Sequence, residues 1–186
     1  MNNKFFPMRN QDFLKQGLED LMDYLEEKIG PLNDKCMIEI GSYIGESTII
    51  FAQRFGLVVS IDPYEDNYDI NDAACKAAPF KEVEKEFNLN TQNYLNIIQI
   101  KLTSDDAFEM AKYYNINEID FIYIDGLHTE NQVKKDINNF KEILKKPFFI
   151  SGHDYNDDWN GVVKAVNDTL GIPKKVFKDS SWIHHD

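Results

Sequence analysis

The sequence predicts a three-layer α/β/α sandwich built on a mostly parallel sheet with a C-terminal antiparallel strand. Three observations carry this expectation. Short apolar runs alternate with segments of helical spacing from residue 36 to residue 170, and strands that alternate with helices form βαβ units and a parallel sheet. The closing segments KKVFK and SWIHH read as a terminal hairpin. A chain of 186 residues, 42% hydrophobic and 28% charged, has ordinary globular composition and is long enough for one domain, residues 1–186, with a full core.

The elements follow in order. Residues 11–29 carry Phe13, Leu14, Leu18, Leu21, Met22, Leu25 and Ile29 at helical spacing, and Gly30-Pro31 stops that N-terminal helix. CMIEI (36–40) is a buried strand, GESTIIFAQRF (45–55) a helix and LVVSI (57–61) the next strand. A polar, variable insert occupies 64–93, with a helix expected over 72–87. Then come IIQIK (97–101), a helix over 105–114, IDFIYI (119–124), a helix over 129–144, PFFIS (147–151) and a helix over 161–170. In such a sheet, ligands sit at the carboxyl ends of the strands, near the point where strand order reverses. The residues just after each strand are therefore where chemistry is sought.

Net charge is −12. A polyanion is repelled by that field unless a basic patch stands apart, and the densest basic stretches are single Lys-Lys pairs. The charge thus disfavours nucleic acid and suits a small-molecule partner. Cys36 and Cys75 form neither a disulfide framework nor a CxxC metal spacing, and Cys36 opens an apolar strand as a buried, inert thiol. The N-terminus lacks the apolar core of a signal peptide, and no apolar run approaches the ~18 residues of a membrane span. A cytoplasmic protein without membrane contact is the expectation.

In EIGSYIGEST, Glu39 ends the first strand, and Gly41 and Gly45 bracket the turn into the helix. Ser47 and Thr48 can cap that helix or face a ligand. Tyr43 stands where the G-x-G-x-x-G pattern needs its middle glycine, the one that lets a pyrophosphate touch the backbone. NAD and FAD are disfavoured accordingly. A Gly-x-x-x-Gly loop after an acidic strand end suits a ligand with an ammonium and no phosphate, although an empty glycine-rich turn has the same pattern. Asp62 lies 21 residues after Gly41 and ends the second strand. An acid at that offset can accept from ribose hydroxyls; as Asp62-Pro63 it is also an ordinary turn signal.

Asp125 follows the fourth strand in FIYIDGLH, and His153 and Asp154 follow the fifth in FFISGHDY. Neighbouring strands lie ~4.8 Å apart, so these three side chains can converge. Two carboxylates and an imidazole suit Mn²⁺ or Fe²⁺; Mg²⁺, which prefers oxygen, suits His153 less. The alternative is Asp125 as a helix cap and a solvated HDY loop. His128 is a separate candidate, as a general base near a substrate hydroxyl or as a packed helix-start residue. His184 and His185 read as surface residues.

In this order, EIGSYIGEST, VVSIDP, IDFIYIDGLHTENQVKKDI, FFISGHDY and GVVKAVND resemble the class I S-adenosylmethionine-dependent methyltransferases, and more narrowly methyltransferase family 24, over roughly residues 34–170. The resemblance implies a Rossmann-like fold, S-adenosylmethionine as cofactor, and O-methylation of a small hydroxylated acceptor such as a sugar. It places Glu39, Gly41 and Ser42, with Gly45 closing the loop, around the methionine part of the cofactor. It places Asp62 on the ribose, and Ser104 and Asp105 near the adenine. Asp125, His153 and Asp154 match positions where metal-dependent relatives hold Mg²⁺, and Asp125 and His128 become the catalytic candidates. Two departures stand out: Leu127 replaces the second acid of a D-G-D pattern, and His153 replaces an acidic ligand. A non-catalytic cofactor-binding module and an NAD-dependent oxidoreductase are the competing readings. The acceptor stays open, as does oligomeric state, a homo-oligomer included.

Overall fold

A computed structural model describes residues 11–69, 76 and 78–186. Its elements run α1 (Gln11–Ile29), β1 (Cys36–Ile40), α2 (Glu46–Ala52), β2 (Leu57–Ile61), α3 (Phe80–Thr91), β3 (Ile97–Ile100), α4 (Ser104–Tyr113), β4 (Phe121–Ile124), α5 (Glu130–Lys141), β5 (Phe149–Gly152), α6 (Asn160–Leu170), β6 (Lys175–Val176) and β7 (Trp182–His185). The seven strands form one sheet in the order β3-β2-β1-β4-β5-β7-β6. The first five are parallel, and β7 runs antiparallel to both β5 and β6. The expected hairpin is present, and its second strand rather than its first pairs with β5, leaving β6 at the sheet edge.

Alternate residues of each strand feed two cores. Met37, Val58, Phe121 and Tyr123 face Leu21, Met22 and Leu25 of α1 and Phe51 of α2. Ile38, Ile122, Ile124 and Ile150 face Phe108 of α4, Ile137 and Phe140 of α5 and Ala165 of α6. Because both faces are covered, β4 is buried at every position, which is why the strands read as continuous apolar runs. A smaller cluster of Tyr64, Phe80, Val83 and Phe87 seats α3 beside the loop after β1.

Three local expectations shift. Of the helix expected over 72–87, the described part begins at Phe80, with Pro79 at its N-cap; proline has no N–H to give and drives the preceding residue out of helical conformation. Residues 70–75, Cys75 among them, lie outside the described residues, as do residues 1–10. The helix after β1 stops at Ala52, and the next residues close as a turn in which Arg54 N–H donates to Phe51 O at 3.0 Å. His184 and His185 are half-buried rather than surface residues, because β7 lies inside the sheet: His185 stacks on Phe149, and its Nε2 lies 3.1 Å from the Tyr24 hydroxyl. Cys36 is half-buried, and burial raises its thiol pKa. Among the described residues, no helix is long and apolar enough to cross a membrane.

Candidate active site

Strand order reverses at β1, which lies between β2 and β4. The two ladders hold to the strand's end: Gly41 N–H donates to Ile61 O at 2.8 Å, and Asp125 N–H donates to Ile40 O at 2.7 Å. The chain must leave through that seam. A Cβ on Gly41 would stand 2.0 Å from Asp125 O, and its φ of +83° is left-handed, so glycine is required there. Tyr43 and Gly45 are also left-handed, which coils the loop and turns successive amides inward.

Asp62 holds those amides. Its Oδ2 accepts from Ser42 N–H at 3.1 Å and Tyr43 N–H at 3.0 Å, and its Oδ1 from Tyr64 N–H at 2.9 Å. Burial still raises its pKa, with the three N–H donors opposing. A carboxylate offers about four acceptor positions, so Asp62 fixes the loop and keeps one for a ligand. It also fills the amide nest that a pyrophosphate would need.

Glu39 sits behind the loop, fully buried, with Ser47 Oγ and Thr48 Oγ1 donating to its two oxygens at 2.5 Å each. Burial pushes its pKa up to about 8 against those bonds. It tethers the start of α2 and lies outside the cleft wall.

That cleft, about 360 Å³, crosses the carboxyl ends of the strands and falls within the ~300–1,000 Å³ of small-molecule sites. Gly41, Ser42, Asp62 and Ser104 line one side. Asp125, His128 and His153 line the other, and Lys15 and Leu18 of α1 close over it. Asp105 does not line it: its carboxylate meets Lys135 Nζ at 2.6 Å on the flank of α4.

On the β4–β5 side the structure brings together Asp125, His128 and Asp154, one ligand atom of each lying within 4.8 Å of the others. His128 Nε2 is 2.9 Å from Asp154 Oδ2 and 3.4 Å from Asp125 Oδ1. The nitrogen at the centre of this group is therefore His128's, not that of His153 expected from the sequence. His153 turns the other way: its Nε2 is 4.0 Å from Asp179 Oδ2, while Nδ1 stays 3.0 Å from Asp154 Oδ1 and 3.9 Å from Asp125 Oδ1. The left-handed φ of +61° at Asp154 re-aims its carboxylate toward His128.

Two groups here carry no sequence motif. Asp69, in the insert, accepts from the His128 backbone N–H at 3.2 Å and lies 3.1 Å from its Nδ1. Asp179, in the β6–β7 turn, accepts from Ser181 N–H and Oγ at 3.1 and 2.7 Å and lines the cleft. Burial pushes the His128 pKa down, but the hydrogen bonds and charges of Asp125 and Asp154 outweigh it and carry it to about 11. Burial likewise opposes His153, which the charge of Asp125 and the Asp154 carboxylate lift to about 9. Asp154 is held well below the carboxylate range: burial raises its pKa, and hydrogen bonds from His128 and His153 more than reverse that. The carboxylates of Asp125 and Asp154 therefore favour the protonated form of His128 in this arrangement.

A family profile described as "Methyltransferase domain" matches residues 38–155. Among solved structures, the calicheamicin methyltransferase CalS11 aligns with a TM-score of 0.66 at 14% identity, covering 92% of this chain and 79% of its own. The O-methyltransferase NovP aligns with a TM-score of 0.63 at 14% identity, covering 95% of this chain and 78% of its own. No curated protein matches. The Rossmann-like sandwich expected from the sequence is the fold these structures share.

Proposed function

The chain belongs to the methyltransferase-domain family, whose profile spans residues 38–155, and from that premise we propose O-methylation of a small hydroxylated acceptor. The cofactor is S-adenosylmethionine. CalS11 is described as a TDP-rhamnose 3′-O-methyltransferase; a hydroxyl of a sugar-like molecule is the corresponding acceptor here. The net charge of −12 supports a small molecule over a nucleic acid.

The observation that carries this reading is the polarity of the cleft. Asp62 stands on the β2 side with one free acceptor position, which suits a ribose hydroxyl. The base then extends toward Ser104, and the sulfonium methyl toward Asp125, His128 and Asp154. An acceptor hydroxyl held there faces the methyl for in-line attack, and the protein's chief contribution is orientation.

Asp125, His128 and Asp154 fit a divalent cation: two hard oxygens and one imidazole suit Mn²⁺ over Mg²⁺. Such a cation supplies Lewis acidity that eases loss of the acceptor's hydroxyl proton. Asp69, held against the Nδ1 side of His128, presents Nε2 to that position in the manner of carboxylate–histidine pairs behind metal ligands. His153 and Asp179 close the acceptor side, and the imidazolium of His153 offsets the crowded carboxylates.

An NAD-dependent reading is disfavoured because Asp62 already occupies the Ser42 and Tyr43 amides. Calorimetry against S-adenosylmethionine, S-adenosylhomocysteine and NAD, with and without Mn²⁺, tests the proposal. S-adenosylhomocysteine is expected to bind and NAD not to; the reverse result overturns it.

A further inference from the structure

A polar cluster centred on Gln132 and Asp136 of α5 lies behind Ser104 at the base end of the cleft. Gln132 and Asp136 are four residues apart and share one face of the helix. Gln132 Nε2 lies 3.0 Å from Asp136 Oδ1, 3.1 Å from Ser104 Oγ and 3.3 Å from Asp105 Oδ1. All three neighbours accept, so the amide nitrogen, which only donates, must be the atom facing them.

Ser104 Oγ therefore receives a hydrogen bond from Gln132, and its own proton has to point elsewhere. Asp136 is 1% exposed, and its Oδ2 receives no hydrogen bond from the described residues. A buried carboxylate oxygen without a donor is costly. The Ser104 hydroxyl is the adjacent rotor able to serve it, and it counts among the groups that lower the Asp136 pKa, which burial first raises, to about 6. With its proton turned to Asp136 and one lone pair taken by Gln132, Ser104 Oγ has a single lone pair left. Ser104 is buried yet lines the cleft, so that lone pair is what a bound base meets.

We propose that Gln132 and Asp136 are positioning residues that fix Ser104 as a hydrogen-bond acceptor and so select a nucleoside base with an exocyclic amine over one with a carbonyl there. The inference rests on the functional reading above, which puts the cofactor's base beside Ser104. An amine donates to Oγ; a carbonyl meets it lone pair to lone pair and leaves both unpaired, the circumstance in which polar sites discriminate most strongly.

The test compares S-adenosylhomocysteine with S-inosylhomocysteine, which differ at that group and at the N1 proton that accompanies the carbonyl, by calorimetry at pH 7.5; the change of ratio in the Ser104 variant isolates the part read at Oγ. The wild-type protein is expected to prefer the adenosyl ligand by at least about tenfold. Ser104→Ala, Gln132→Leu and Asp136→Asn are each expected to bring the two dissociation constants within about threefold. A loss of folded protein weakens both ligands together, so the ratio reads positioning and not stability. Equal affinity in the wild type overturns the inference, as does an undiminished ratio in folded Gln132→Leu and Asp136→Asn. If neither ligand binds the wild type, the functional reading itself falls, and this inference with it. Should an α5 variant fail to fold, the wild-type ratio and Ser104→Ala decide.

Discussion

Replacing Asp62 by alanine separates the two tasks its carboxylate performs. Three backbone N–H groups, of Ser42, Tyr43 and Tyr64, lose their acceptor. A buried donor left unpaired costs ~1–3 kcal/mol. Ser42 and Tyr43 line the cleft, and at the lower figure for each of the three donors the sum is about 3 kcal/mol. Relief of the buried charge, whose cost is visible in the raised Asp62 pKa, returns part of this. A net loss of about 2 kcal/mol lowers the melting temperature of a domain this size by roughly 4–8 °C. Separately, a charged acceptor lost from the ribose costs about 1.5–3 kcal/mol, or about tenfold to a hundredfold in affinity. Thermal melts of Asp62→Ala with and without S-adenosylhomocysteine, beside calorimetric titration, read both quantities. A variant that melts lower but binds S-adenosylhomocysteine within twofold of wild type refutes the ribose contact and leaves Asp62 as a loop anchor alone. A variant unchanged in both refutes the loop argument as well.

Mn²⁺ affinity, read by titration calorimetry, is expected to fall at least tenfold in Asp125→Ala, His128→Ala and Asp154→Ala and to change little in His153→Ala; the opposite ranking of the two histidines returns the site to the sequence expectation. With the His128 pKa raised to about 11, binding through Nε2 displaces its proton, so Mn²⁺ affinity should rise about tenfold per pH unit between pH 6.5 and 8.5; a flat profile refutes proton displacement from His128 in that range. Without metal, the His153 pKa is raised from 6.5 to about 9: the folded state keeps a proton that the unfolded chain releases, so its stabilisation is full below pH 6.5 and disappears as pH rises through 9. Urea midpoints should accordingly decline across that window in wild type and less in His153→Gln. Gly41→Ala forces a Cβ to within 2.0 Å of Asp125 O at a left-handed φ, and a loss of about 3 kcal/mol or more in urea unfolding is expected.

Most of the fold is legible in the sequence for one physical reason: both faces of the sheet are covered. Runs such as Phe121–Ile124 are apolar throughout, and the helices between them show their own period. The start of α3 at Phe80 answers to Pro79, which disfavours helical conformation at Ala78 before it. The loop after β1 was legible because its glycines answer to backbone constraints that no other residue meets. Asp69 and Asp179 were not, since each sits in irregular chain, and Asp69 lies 59 residues from the histidine it holds. No periodicity encodes such a contact.

The exchange of His153 for His128 shows the limit more sharply. Adjacency to Asp154 makes His153 the obvious nitrogen in sequence, yet only its Nδ1 stays by Asp154, at 3.0 Å, while its Nε2 faces Asp179 at 4.0 Å. His128 lies three residues beyond Asp125, across a turn that Gly126 and Leu127 complete, and returns to the same point. A motif records which residues leave the sheet together; the turn that follows decides which of them meet again. Here that turn is pinned from outside, because Asp69 grips both the backbone and the ring of His128. The carboxylates of Asp69, Asp125 and Asp179 line the cleft beside His128 and His153, and Asp154 lies 2.9 and 3.0 Å from the two imidazoles. Such crowding favours any cation, proton or metal, at the centre of the group. The same charges that favour a proton on His128 would hold a metal ion that replaces it.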